Sequence, residues 1–207
     1  GKLKKYKESL VTIDNGLSEF PDDVVLLSTK RTAYQRLGDY PNAIIVARRI
    51  VQIQPNNLSN RFYLAIFQGE SGQRKEAIQQ YLSIIETHPE HVASLNNLAI
   101  AMTETGSPNQ ALVYARRASK FSPDASQVAD TLGWTLFRAG NHQGGLAELM
   151  RASALAPKES APLYHLGLAH HELGNSVKAR EFLTRALERL PPGSKRTQRV
   201  RELLKRN

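Results

Sequence analysis

A leucine followed by a small residue recurs along the chain at Leu64-Ala65, Leu98-Ala99, Leu132-Gly133 and Leu166-Gly167, each pair 34 residues after the last. A second series, Ser9, Ala43, Ala77, Ala111, Gly145 and Ala179, keeps a small residue in the same register. Residues 126–138 show what the pattern means locally. At about 100° per residue, Ala129, Leu132, Gly133 and Leu136 share one stripe of a helix, and Gln127, Asp130, Trp134 and Phe137 share another roughly 120° to 130° away. The first stripe is small or apolar throughout, as packing against neighbouring helices requires. The second carries the only tryptophan of the chain.

The punctuation keeps the same period. Prolines fall at Pro21, Pro55, Pro89, Pro123, Pro157 and Pro191, and glycines at Gly38, Gly72, Gly106, Gly140 and Gly174, every interval being 34. A glycine ends a helix because it takes the left-handed conformation at no steric cost. Asp39, Ser107, Asn141 and Asn175, each directly after one of these glycines, are good N-caps for a second helix. Pro41, Pro108 and Pro162 fall near helix starts, where a missing N–H costs little. The periodic prolines then stop the second helix, because the ring clashes with the preceding turn. Each unit is predicted to be a helix, a tight turn and a second helix.

This pattern resembles the tetratricopeptide repeat (TPR) family. The match is carried by the four leucine–small pairs in the first helix (helix A), by Ala77, Ala111 and Ala179 in the second (helix B), and by the six prolines. The resemblance implies an all-α fold, a right-handed αα-superhelix or TPR solenoid. It covers essentially the whole chain as one array, with full repeats at 24–57, 58–91, 92–125, 126–159 and 160–193. Residues 1–23 fit only a helix B, so the chain is expected to be a piece of a longer protein, with Gly1 read as a cloning remnant. Residues 194–207 resemble a lone capping helix; its Lys195, Arg196, Arg199, Arg201, Lys205 and Arg206 read as a solvating cap or as the start of a further repeat. Two repeats depart from the pattern. Lys30-Arg31 stand where leucine and a small residue are expected, and Arg61 and Gln68 occupy positions that are usually large and apolar.

In the TPR family the second stripe of each helix A lines the concave surface, where extended peptides or partner helices bind. Carried over position by position, the groove here would contain Phe62 and Ile66, then Asn96 and Ile100, then Asp130, Trp134 and Phe137, then Tyr164, Leu168 and His171, flanked by Asn97, Arg138 and His165. Such a groove is apolar and aromatic rather than charged. An aromatic ring of ~150–250 Å² left in water forgoes up to about 4–6 kcal/mol of burial at ~25 cal/mol per Å², so exposure of these rings needs a reason. Either they pack on each other between adjacent helices, or four successive repeats of large residues form a binding surface. The family's carboxylate clamp is not matched: Asn97 fits, but Phe62, Ile66, Gln127 and Thr131 stand at the flanking positions. Its asparagine ladder is not matched either, since the series reads Thr29, Tyr63, Asn97, Thr131, His165.

Composition changes this picture little. Of 207 residues, 41% are apolar and 23% charged, a globular balance with no run long enough for a membrane span. Cysteine is absent, which removes disulfides and zinc–thiolate sites but leaves the compartment open. The net charge of +9 raises nucleic acid or a membrane surface as partner. The charge lies at the ends: residues 1–7 carry four lysines and no acid, residues 174–207 ten basic against three acidic, and the other 166 are nearly neutral. A continuous phosphate-binding stripe is therefore not expected.

Catalytic and metal motifs are also missing. The sequence holds no phosphate-cradling glycine loop, nucleophile elbow or HExxH. His170-His171-Glu172 and His88-Pro89-Glu90-His91 do not converge ligands as an i, i+4 pair would, so no metal or cofactor is expected. Arg48-Arg49 and Arg116-Arg117 read as solvated outer-face residues. The leading expectation is a non-enzymatic scaffold binding an extended peptide or partner helix in the concave groove. The alternatives are an anionic-polymer or nucleic-acid binder acting through the basic ends, and a regulatory repeat segment of an enzyme or of a secretion or polysaccharide-export protein. SLNNLAIAM, VADTLGWTLFRAGN and YHLGLAHHELGN resemble bacterial envelope-associated TPR proteins, including those of exosortase and exopolysaccharide systems. That resemblance implies a periplasmic or membrane-linked scaffold, with the cytoplasm as the alternative.

Overall fold

The computed structural model describes residues 2–206 and the side chains of residues 4–205, so Gly1 and the Arg206 side chain lie outside the described residues. Among the described residues there are α-helices and no strand. In chain order they are α1 (Lys2–Glu19), α2 (Val24–Leu37), α3 (Tyr40–Ile53), α4 (Leu58–Glu70), α5 (Arg74–Thr87), α6 (Val92–Glu104), α7 (Pro108–Phe121), α8 (Ser126–Arg138), α9 (His142–Leu155), α10 (Ala161–Glu172), α11 (Ser176–Leu187) and α12 (Lys195–Arg206). The helices group into two compact units, residues 1–101 and 102–207, divided within α6. The 34-residue register carries no mark of that division.

The turns follow the local chemistry. Gly38, Gly72, Gly106, Gly140 and Gly174 all take φ between +71° and +91°, the left-handed region a side chain disfavours. Asp39, Asn141 and Asn175 cap the next helix by accepting from the backbone N–H groups of Asn42, Gly144 and Lys178 at 3.2, 3.0 and 3.2 Å. Ser107 differs from expectation: it holds the N-cap position, but its side chain makes no capping bond. Pro41, Pro108 and Pro162 sit in the first turns of α3, α7 and α10.

In unit 1 the core forms where α2, α3 and α4 meet. Leu27, Val46 and Ile50 make one cluster, and Ala43, Ile44, Ala47, Leu64 and Phe67 another. The departures from the repeat pattern are accommodated individually. Lys30 meets the Asp14 carboxylate at 2.6 Å. Arg31 is 9% exposed and lies 4.3 Å above the Tyr63 ring, with Nε and Nη1 lacking hydrogen-bond partners. Burial pulls its pKa below the ordinary value, because desolvation penalises the cation. Arg61 donates to Ser83 Oγ at 2.6 Å, while the buried Gln68 leaves Oε1 without a partner.

In unit 2 the small residues of the pattern do steric work. A Cβ on Gly133 would lie 2.8 Å from the Leu149 backbone N and 2.9 Å from the Gly145 carbonyl oxygen; one on Gly145 would lie 2.7 Å from the Phe137 backbone N. α8 and α9 therefore touch backbone to backbone. Around that contact Phe137, Leu149, Leu163, Leu166, Ala169, Phe182 and Ala186 form a core, and Leu183, Leu190, Val200 and Leu203 tie α12 to α11. Ala129, Leu132, Gly133 and Leu136, the stripe expected to face the core, are all buried.

Candidate functional site

The second helix-A stripe of unit 2 is organised around one polar pair. Asp130 on α8 is only 7% exposed, and its carboxylate lies 2.8 Å from Nδ1 of His165 on α10. A carboxylate only accepts, so Nδ1 carries the proton and the ring is held by its orientation toward Asp130, leaving Nε2 on the opposite side. Trp134 stacks on this fixed ring, with centroids 4.9 Å apart and planes 14° from parallel. It also stacks on Phe137 at 5.7 Å and 8°. The indole is thus half-buried, held between a residue of its own helix and one of the next helix A. Such ring pairs contribute about 0.5–1.5 kcal/mol each beyond their buried area.

Two of the expected groove residues are corrected here. Phe137 does not line an open surface: it is 3% exposed, within the cluster of Leu149, Leu163 and Leu166. Its position is one turn along from Trp134, and the missing side chain at Gly145 lets α9 close against its backbone. Asp130 is likewise buried, and its carboxylate serves His165 rather than solvent. The remaining residues stay at or near the surface. Arg138 is exposed, pairs with Glu172 at 3.3 Å and lies 5.7 Å from the Trp134 ring. Tyr164, Leu168 and His171 are half-buried, with Tyr164 tilted against His165 and Leu168 packed on the cluster that holds α12. Arg196 of α12 lies 5.5 Å from the Tyr164 ring, a neighbour that the repeat register does not predict.

Unit 1 presents the stripe separately. Phe62 is half-buried between Tyr81, at 6.0 Å, and His91, edge-on at 5.1 Å. Asn97 donates from Nδ2 to the Tyr81 hydroxyl at 3.4 Å. Burial pushes that hydroxyl up to about 12, against the opposing pull of the Asn97 bond. Ile66 packs on the cluster of Leu64 and Phe67, and Ile100 is 39% exposed. Asn96 Oδ1 is closed off without a hydrogen-bond partner. The structure places Phe62 with Tyr81 and His91, partners on helix B and the following turn that stripe geometry alone does not supply.

Models of the tetratricopeptide repeat match residues 60–91 and 131–194. Over these residues the chain carries tetratricopeptide repeats. Solved TPR structures share its fold at low identity. A thermophilic TPR protein of Thermus thermophilus aligns with TM-score 0.76 and 19% identity over 88% of this chain and 99% of that one. A TPR protein of Parabacteroides merdae aligns with TM-score 0.80 and 15% identity over 99% and 78%. YrrB, described as a TPR protein with an unusual peptide-binding site, aligns with TM-score 0.59 and 15% identity over 92% and 97%. No curated protein matches the chain significantly.

As an all-α TPR solenoid, the chain is a protein–protein interaction scaffold, in a family whose members are generally non-enzymatic. Among the described residues no group of three metal-ligating side chains converges, and no helix is long and apolar enough to cross a membrane. The TPR stripe presents rings, amides and, beside Trp134 and Tyr164, two arginines.

Proposed function

We propose that this TPR protein binds an extended peptide or a partner helix along the second stripe of its A helices, with no catalytic role. The observation that carries the reading is the set of half-buried rings that keep part of their surface at the stripe: Trp134, His165 and Tyr164 in unit 2, Phe62 in unit 1. Trp134 is pre-ordered by His165 and Phe137, and a rigid aromatic loses little freedom when a partner covers it. Arg138 and Arg196, lying beside Trp134 and Tyr164, supply donors for a partner's carbonyl or carboxylate oxygens. YrrB, a structural relative with a described peptide-binding site, supports a peptide as occupant.

Trp134 is the single tryptophan, so its emission reports occupancy of unit 2 directly. A selected peptide should shift that emission saturably. Trp134→Ala combined with Tyr164→Ala should weaken binding at least about tenfold while helicity is retained. Undiminished binding by the folded double variant would refute the assignment.

A second reading rests on charge. Lys178, Arg180, Lys195, Arg201 and Lys205 have no acidic partner among the described residues, so the C-terminal part can also attract an anionic polymer. That reading requires affinity that falls steeply with salt; salt-independent binding removes it. The matching strings around Trp134 and His165 support a place in the bacterial envelope, testable by fractionation of the full-length protein.

A further inference from the structure

Away from the helix-A stripe, unit 2 holds a cleft of about 380 Å³ between α9, α10 and α11, lined by Leu146, Met150, His170, Lys178, Glu181 and Phe182. That size lies within the roughly 300–1,000 Å³ of ligand-binding clefts. His170 is 9% exposed and stacks face to face on Phe182, at 5.6 Å and 4°. Among the described residues neither of its ring nitrogens makes a hydrogen bond, yet neither is sealed from solvent. A polar ring nine-tenths buried, satisfied by no protein group and lining the cleft, marks a place where something else supplies the partner.

Unit 1 repeats the cleft in the same register, with Gln68 in the place of His170, and the comparison isolates what is special in unit 2. The unit 1 cleft, of about 340 Å³, is lined by Arg48, Gln52, Glu76, Gln79 and Gln80 together with the apolar Val51 and Leu64. Gln68 Oε1 is closed off there, so it cannot greet a ligand. In unit 2 Met150 and Phe182 stand where unit 1 has Arg48 and Gln80, while Lys178 and Glu181 stand where it has Glu76 and Gln79. Met150 is 51% exposed, an unusual state for a thioether that makes favourable contacts with aromatic rings. The cleft therefore combines an apolar side, Leu146, Met150 and Phe182, with His170 at its floor and the charged Lys178 and Glu181 at its rim.

We propose that this cleft takes a tyrosine side chain presented by a partner protein. The ring would lie against Met150, Leu146 and the edge of Phe182, and the phenolic O–H would donate to the free nitrogen of His170. Burial, with Lys178 nearby and Glu181 opposing, holds the imidazole below its ordinary pKa, so the neutral ring keeps one acceptor nitrogen at neutral pH. The rim argues for a peptide rather than a free phenol. Lys178 is a donor and Glu181 an acceptor on the same wall of α11, which suits the carbonyl and N–H of a main chain passing over the opening. Glu181 already holds Arg185 at 3.4 Å through one oxygen, leaving the other for an incoming N–H.

The test is methyl and imidazole NMR on the whole protein, in which Met150 and Met102 are the only methionines. N-acetyl-L-tyrosinamide should shift the Met150 methyl and the His170 ring saturably, leaving the Met102 methyl and the Trp134 indole in place. N-acetyl-L-phenylalaninamide should bind at least about threefold more weakly, since it cannot make the hydrogen bond. His170→Phe should keep the stack and abolish that discrimination; Lys178→Ala, on the exposed rim, should weaken tyrosinamide binding in a protein certain to keep its core. Absence of a saturable shift at Met150 and His170, or equal binding of the two amides, overturns the proposal. Binding of p-cresol as tight as that of tyrosinamide also overturns it, because the occupant is then a small phenol and not a partner's side chain. Movement of the Trp134 indole instead of Met150 would overturn it as well, by placing the probe on the helix-A stripe.

Discussion

Gly133→Ala adds one methyl group to the middle of α8, where helix propensity alone favours alanine by about 1 kcal/mol. The structure predicts the opposite sign. The new Cβ would stand 2.8 Å from the Leu149 backbone N, 2.9 Å from the Gly145 carbonyl oxygen and 2.9 Å from Leu149 Cγ, where ordinary contacts begin at 3.4 Å. Two of those three atoms are backbone and cannot swing aside, so α9 must be displaced as a body. Over-packing of this kind costs about 1–3 kcal/mol, and the upper end applies where backbone meets backbone, leaving a net destabilisation of about 2 kcal/mol. The assay is urea unfolding followed by Trp134 emission, which reports unit 2. Gly69→Ala is the control of opposite sign: its Cβ would meet Ala77 Cβ at 3.9 Å, an ordinary contact, so unit 1 should be unharmed or gain up to about 1 kcal/mol by far-ultraviolet circular dichroism. A Gly133→Ala protein as stable as the parent would show that α8 and α9 are not in backbone contact.

Other substitutions test individual interactions. Asp130→Ala should cost unit 2 about 1.5–3 kcal/mol, the usual range for a hydrogen bond to a charged group, measured by the same urea titration; a loss below about 0.5 kcal/mol would mean the His165 bond holds nothing in place. Arg31→Met should stabilise unit 1 by about 1–2 kcal/mol, because it keeps the apolar stem and removes two buried, unpartnered guanidinium nitrogens; destabilisation would show that the Tyr63 contact outweighs them. His170 carries a pKa lowered by burial and by Lys178, so the unfolded chain binds its proton more readily. Its contribution is favourable above about pH 6.5 and is lost as pH falls through the folded value, so His170→Phe should flatten the loss of unit 2 stability between about pH 7.5 and about pH 5.5; an unchanged slope refutes this.

The period of 34 is enough to assign helix identity and the core stripe, since Gly140, Asn141, Leu132 and Leu136 each follow from spacing and turn chemistry that act within a few residues. The direction of the second stripe is also readable, but not its state of burial. Phe137 lies on that stripe and is buried because Gly145, a helix turn beyond the α8–α9 turn, lets α9 approach; no periodic argument on α8 alone contains that closeness. Asp130 and His165 lie one repeat plus one residue apart, a separation that brings the fifth position of one helix A beside the sixth of the next. That offset is present in the sequence, but a stripe drawn one helix at a time does not reveal it. The partner of Tyr164, Arg196, comes from α12, outside the full repeats, where no register predicts neighbours. The free edge of His170 likewise depends on what α9 and α11 leave uncovered, which is a property of packing and not of pattern.

Site-specific photo-crosslinking on the full-length protein in its native cells separates the proposed binding stripe from the rest of the surface. p-Benzoylphenylalanine would be introduced singly at Ile100 and Tyr164 on the A helices, and at Ile45 and Val113, which are 66% and 58% exposed on the B helices. The partner should be captured from Ile100 and Tyr164 and not from Ile45 or Val113. Capture of the same partner from Ile45 and Val113, with none from Ile100 or Tyr164, would contradict the assignment of the helix-A stripe as the binding surface.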